Sequence, residues 1–133
     1  INTDYLAIDK ILDDFKGFKI IVLGGGVMSL ITQKILEKKG LEYKVFSRKK
    51  NGPIEGINLT KVFPSENEDI LIINSTTRDF IFNGILPKNS VFLDYNYDFK
   101  PHQDFIPTKN VRYIDGINLL KLQAKFALEF FRF

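Results

Sequence analysis

Three consecutive glycines, Gly24, Gly25 and Gly26, stand directly after an apolar run and directly before a helical pattern. This junction constrains the chain more than any other feature. Ile20 to Leu23 are all apolar and mostly β-branched, which suits a short strand buried on both faces of a parallel sheet. Met28, Ile31, Ile35 and Leu36 then recur at helical spacing, and Gly40 stands where a C-terminal cap is expected. Glu42 to Phe46 predicts a second strand. Without Cβ atoms a chain can turn sharply and bring its backbone N–H groups close to a diphosphate, at the positive end of the following helix dipole.

The dinucleotide pattern G-x-G-x-x-G/A is met at Gly24 and Gly26, with Ser29 at the third position, small enough for close packing of helix on strand. An NAD-type site places Asp or Glu at the end of the second strand, roughly 20 residues past the glycines, to hold ribose hydroxyls. This chain has Ser47, Arg48, Lys49 and Lys50 there. A carboxylate repels a 2′-phosphate, whereas a hydroxyl, a guanidinium and ammonium groups bind it, so the cations point to NADP. A solvated run of charge in a loop is the alternative reading of the same residues.

Length leaves room for one domain, since 133 residues support a single core. Apolar residues make up 44% of the chain, which predicts a globular protein. A net charge of +3 is too small a bias to argue for nucleic acid or a membrane surface. The absence of cysteine excludes disulfides and thiolate metal sites and is compatible with a reducing compartment. No apolar run reaches membrane-spanning length. The chain opens on Ile1 rather than Met and lacks the basic and apolar regions of a signal peptide, so it is expected to begin inside a larger protein.

In chain order, Asn2, Thr3 and Asp4 are good helix caps, followed by an apolar stripe of Tyr5, Ile8, Ile11, Leu12 and Phe15 and an end near Gly17. Lys50 to Gly56 reads as a loop, and Ile57 to Phe63 fits a short helix or a strand equally. Ile70 to Ile73 predicts a strand, preceded by acidic Glu66, Glu68 and Asp69. It ends in Asn74, Ser75, Thr76 and Thr77, polar residues in the crevice where open α/β sheets bind ligands. Phe80 to Leu86 reads as a turn or short helix closed by Pro87, and Val91 to Leu93 as a strand running out into Asp94, Tyr95, Asn96 and Tyr97. Asp98 to Lys109, polar and holding two prolines, reads as loop, Val111 to Ile114 as a strand, and Ile117 to Phe130 as a last helix. Leu119, Leu120, Gln123, Phe126, Ala127 and Phe130 are expected along one side of it. Strands alternating with helices predict a single α/β domain, a Rossmann-like doubly wound parallel sheet in three αβα layers.

Gln123 is the odd residue on that side, since a buried amide needs a partner, and backbone is the ordinary one. Tyr97 follows a strand, where a tyrosine commonly packs its ring and wets its hydroxyl. His102, the one histidine, falls in the predicted loop with no acid and hydroxyl pair beside it, and is expected at the surface.

Together these pieces resemble shikimate dehydrogenase over the whole chain. Asn2, Thr3 and Asp4 match that family's N-T-D, and Val22 to Met28 approach its cofactor turn V-L-G-x-G-G-A. Ser47, Arg48 and Lys49 stand at its N-R-T, Ile72 to Thr76 at its I-I-N-A-T, and Asp94 and Tyr97 at its D-x-x-Y. Asp115, Gly116, Leu119, Leu120, Gln123 and Ala124 match its C-terminal D-G-x-x-M-L-x-x-Q-A, with Leu119 in place of methionine.

The resemblance implies NADP-dependent, reversible reduction of 3-dehydroshikimate to shikimate, in the cytoplasm, within aromatic amino acid biosynthesis. The cofactor contacts it implies are Gly24, Gly25, Gly26, Val27, Met28, Ser47, Arg48, Lys49, Asn74, Ser75, Thr76, Tyr95, Gly116 and Leu119. Asp4, Tyr97 and Gln123 are the implied substrate contacts. Asp4 is also the implied catalytic aspartate, paired with a lysine that donates the proton. That lysine is expected in a preceding substrate domain absent from this chain, residues 1–133 being the NADP-binding domain. No metal is implied, and a homodimer is among the assemblies the resemblance allows. Departures from the pattern are Val27, Ser47, Lys49, Asp79 and Asn118. Side chains at Val27 and Asn118 narrow a cofactor site, which keeps open a non-catalytic relative with this fold; a quinate or aminoshikimate dehydrogenase is the other alternative.

Overall fold

The structure, a computed structural model, describes residues 2–65 and 67–131. Glu66, read above as one of three acids before a strand, lies outside the described residues. The elements are α1 (Thr3–Leu12), β1 (Lys19–Leu23), α2 (Val27–Lys39), β2 (Tyr43–Phe46), α3 (Arg48–Asn51), β3 (Ile70–Asn74), β4 (Val91–Asp94), α4 (Lys100–Phe105), β5 (Arg112–Ile114) and α5 (Ile117–Phe130). Among the described residues the strands form one parallel sheet in the order β2-β1-β3-β4-β5. The chain leaves β1 toward β2 on one side, then crosses back to β3 on the other. Leu23 pairs with both Phe46 and Asn74, so the strand order reverses at the carboxyl end of β1. Crevices of open α/β sheets form at that point.

Strand alternation divides the core in two. Ile20, Val22, Leu71, Ile73, Val91 and Leu93 face α1, α2 and α5, packing on Ala7, Ile8, Leu12, Ile35, Leu36 and Leu119. Ile21, Leu23, Ile70, Ile72 and Phe92 face the opposite layer. Among the described residues, that second layer holds the short α4 and a 3-10 turn, Ile106–Lys109, beside irregular chain. Its volume comes from buried aromatic bulk, Phe63, Phe80 and Phe82 against Phe92. Glycine and proline punctuate residues 52–65 and 75–90, and neither stretch forms a helix.

Several expectations are corrected. Asp98 to Lys109 is not loop: Pro101 lies in the first turn of α4 and Pro107 in the first turn of the 3-10 segment, positions where a missing N–H costs nothing. His102 is fully buried rather than at the surface. Ser47 opens α3, its hydroxyl accepting from the Lys50 amide at 3.3 Å, where Lys50 onward was expected as loop. Ile57 to Phe63 and Phe80 to Leu86 are neither helix nor strand, but meet in one bridge, Asn58 with Ile85. On α5, Leu120 and Phe130 are exposed, and Leu122 takes the inner position beside Leu119 and Phe126.

Candidate functional site

At the carboxyl ends of β1, β2 and β3 an open cleft of about 290 Å³ is lined by Gly24, Gly25, Gly26, Ser47, Arg48, Lys49, Ile54, Ser75, Thr76, Thr77 and Phe80. A wider recess of about 520 Å³ continues past Gly25, Ser47 and Lys49 to Gln33, Tyr43, Val45 and Lys50. The glycine turn forms the floor. Gly24 sits at φ +123°, and a Cβ there would lie 2.5 Å from Ser75 Oγ, so any side chain closes the junction. Above Gly26 there is open space, with nothing within 4 Å of where a Cβ would stand. The first intrahelical bond of α2 runs from the Leu30 amide to the Gly26 carbonyl, which leaves the amides of Val27 to Ser29 without acceptors in the helix. Open space above a glycine floor and a helix N-terminus fit a diphosphate. Ser29 is fully buried beneath this turn and accepts from Gln33 Nε2 at 3.1 Å, as the close packing of α2 on β1 requires.

The cations face the same space. Arg48 and Lys49 line the cleft and Lys49 and Lys50 the recess. Arg48 Nη2 donates to Glu55 Oε2 at 2.9 Å, and its guanidinium carbon lies 5.7 Å from the Phe80 ring centroid. Neither Glu55 nor Phe80 was singled out for this site from sequence. Glu55 lies seven residues past Arg48 across a glycine and proline turn, a separation with no periodic signature.

The β3 and β4 ends are fixed from below. Ser75 Oγ donates to the Leu23 carbonyl at 2.7 Å, and Asn74 Oδ1 accepts from the Thr76 amide at 3.2 Å and hydroxyl at 2.6 Å. Asn74 Nδ2 in turn donates to Asp94 Oδ1 at 3.1 Å. Asp94 is fully buried and accepts further bonds from the Asn96 amide, His102 Nδ1 and the Tyr113 hydroxyl. His102 Nε2 accepts from the Phe82 amide at 2.9 Å, which places the imidazole proton on Nδ1. Burial, and then the adjacent Asp94 charge, push the Tyr113 phenol well above its ordinary range.

Asp4, Tyr97 and Gln123 come from three distant stretches. Asn2 caps α1 by accepting from the Tyr5 amide at 3.1 Å, which sets Asp4 in the first turn. Gln123 Nε2 donates to Asp4 Oδ1 at 2.5 Å, so its partner is this carboxylate and not backbone. Tyr97 is 48% exposed, and Arg78 holds its turn by donating to the Tyr97 carbonyl at 2.7 Å and the Asp98 carbonyl at 3.3 Å.

The remaining expected contacts are not brought into the cleft. Leu119 is in the core, Met28 packs on it, and Asn74 lies under the cleft. Tyr95 turns its side chain beneath α2, where its hydroxyl donates to Thr32 Oγ1 at 2.6 Å, the Thr32 hydroxyl being spent on the Met28 carbonyl. Gly116 packs on the backbone of Tyr95, where a Cβ would fall 2.5 Å from the carbonyl oxygen. Val27 is exposed at the start of α2, and Asp79 accepts from the Thr77 hydroxyl.

Neither a family model nor a curated protein matches the sequence. Solved structures match it in fold. The shikimate dehydrogenase from Aquifex aeolicus is 21% identical with a TM-score of 0.67, over 98% of this chain and 56% of that one. The shikimate dehydrogenase from Thermotoga maritima is 17% identical with a TM-score of 0.59, over 97% and 57% of the two chains. The quinate dehydrogenase from Corynebacterium glutamicum, solved in complex with NAD, is 14% identical with a TM-score of 0.63, over 99% and 57%. The resemblance read from the motifs is thus borne out in the fold: this chain has the architecture of shikimate and quinate dehydrogenase structures, over little more than half their length.

Proposed function

We propose that the chain is the NADP-binding domain of a shikimate dehydrogenase, acting with a separate substrate domain in the reversible reduction of 3-dehydroshikimate to shikimate. One observation carries the reading: the glycine turn, the cations after β2 and the polar end of β3 line one cleft at the point where the strand order reverses. Gly25, Gly26 and the first turn of α2 would hold the pyrophosphate, and Ser47, Arg48 and Lys49 the 2′-phosphate. The nicotinamide supplies the hydride when bound. Tyr97 and Gln123 would orient the substrate, and Asp4, already fixed by Gln123, would hold a lysine of the substrate domain in place for proton transfer to the carbonyl oxygen. The apolar wall of Ile54 and Phe80 would exclude water from one side of the adenosine half.

A quinate-type dehydrogenase accepting NAD is the second reading. It is favoured by Glu55, an acid at the rim of the adenosine end, and by the NAD-bound quinate dehydrogenase of the same fold. Calorimetric titration of the chain with NADP and NAD separates them. Tighter binding of NADP, with the preference erased in Arg48→Ala, supports the first; equal binding of both, indifferent to that substitution, supports the second.

A further inference from the structure

We infer that Glu55 sets the dinucleotide preference of this cleft by occupying the Arg48 guanidinium that a ribose 2′-phosphate would otherwise take. The inference rests on the reading of the cleft as a dinucleotide site and adds to it an antagonist that none of its motifs contains.

Glu55 is fixed on two sides. One oxygen, Oε2, accepts from Arg48 Nη2 at 2.9 Å, and the other, Oε1, accepts from the Ile54 amide at 3.2 Å. Ile54 is buried and lines the cleft, so the carboxylate is anchored to its wall rather than swinging in solvent. Arg48 is restrained from its other side by the Phe80 ring. The two side chains keep 53% and 36% of their surface, so an incoming phosphate reaches the pair. A bond from its own amide, with the Arg48 charge and bond adding to it, holds the Glu55 carboxyl below the usual glutamate range, and it is ionised at neutral pH.

A 2′-phosphate carrying close to two negative charges must therefore displace Glu55 from Arg48 and bind beside it. A 2′-hydroxyl meets no such repulsion. The basic run after β2 thus discriminates less than its count of cations suggests.

The test is calorimetric titration of the 133-residue chain with 2′,5′-ADP and with 5′-AMP, probes that differ only in the 2′-phosphate. Glu55→Gln keeps an oxygen for the Ile54 amide and removes the charge. It is expected to tighten 2′,5′-ADP about fivefold while 5′-AMP moves less than about twofold, as removal of one exposed like charge predicts. Glu55→Asp, with a shorter arm, keeps the fold if Gln does not and shifts 2′,5′-ADP in the same direction. In an Arg48→Ala background most of the Glu55→Gln gain should vanish, only direct like-charge repulsion remaining, which a merely structural Glu55 would not produce. Unchanged or weaker 2′,5′-ADP binding in Glu55→Gln overturns the inference, as does loss of 5′-AMP binding, which would make Glu55 a ribose ligand. Wild-type protein that binds neither probe overturns the dinucleotide reading itself, and the inference with it.

Discussion

Asp4 and Gln123 lie 119 positions apart in sequence and share a 2.5 Å hydrogen bond that ties the first turn of α1 to the middle of α5. The bond joins two helices that already pack on the same face of the sheet. It gives Gln123 a reason to sit among Leu119, Leu122 and Phe126, and gives Asp4 a fixed orientation that an N-terminal turn alone does not provide.

Removing the amide while leaving the carboxylate isolates this bond. Gln123→Ala should lower unfolding free energy by about 1.5 kcal/mol, the range for a hydrogen bond to a charged group, measured by urea denaturation. Asp4→Asn keeps an oxygen for Gln123, so its stability should stay within about 0.5 kcal/mol of wild type, a typical bound for a change that preserves its contacts. In a protein carrying both domains, Asp4→Asn should nevertheless abolish most shikimate oxidation. Retained turnover would show that Asp4 serves the fold alone.

The glycine turn separates folding from binding. Gly24→Ala forces a positive φ on alanine and drives its Cβ into Ser75, so a loss of about 2 kcal/mol is expected from strain. Gly26→Ala meets open space at a helix N-cap and should cost no more than about 1 kcal/mol. Its methyl group projects into the proposed pyrophosphate seat, so this nearly stable variant should lose dinucleotide affinity, read by calorimetry. Full affinity in Gly26→Ala contradicts that seat.

His102 fixes the opposite layer. His102→Ala leaves the Phe82 amide without its acceptor, deprives buried Asp94 of a donor and opens a cavity beside Phe92 and Phe99. A loss of about 3 kcal/mol is expected in urea denaturation, combining an unmet polar group with a void. Because Asp94 also holds Asn74, and Asn74 holds Thr76, this variant should weaken binding at the cleft as well.

The strands and the helices over one face were legible because their signals are local. Four apolar residues followed by glycines announce β1 and the turn, and spaced apolar residues ended by Gly40 announce α2, whose cap is left-handed at φ +70°. Pro101 and His102 misled for a physical reason. Proline reads as a breaker in the sequence but here starts α4, and a lone histidine gives no hint of burial until Asp94 and the Phe82 amide converge on it from other elements. The cleft was legible in its glycines and cations. Its acidic counterweight, Glu55, was not, because the pairing depends on how the chain turns between Gly52 and Ile54. Leu120 and Leu122 exchanged expected positions, since a helix with apolar residues at 119, 120 and 122 does not declare which stripe meets the sheet.

Alkaline titration tests the part-buried phenols of Tyr95 and Tyr113. Tyr95 is held above its ordinary range by burial, and Tyr113 by burial and the Asp94 charge. Each folded value is raised, so each phenol's contribution to stability is complete below about pH 10, the unfolded value, and declines as pH rises beyond it. Ultraviolet absorbance should show the Tyr95 and Tyr113 phenols ionising together with unfolding. Ionisation of Tyr95 and Tyr113 before loss of the circular dichroism signal would contradict these placements.

The proposed function requires a dinucleotide seated over the glycine turn with its 2′-phosphate among Ser47, Arg48 and Lys49. Backbone amide NMR of the chain titrated with NADP addresses this most directly. Shifts concentrated at Gly25, Gly26, Val27, Arg48 and Lys49, with those at Arg48 and Lys49 much smaller for NAD, are the predicted result. Shifts confined to other faces of the sheet, or none at saturating NADP, would contradict it.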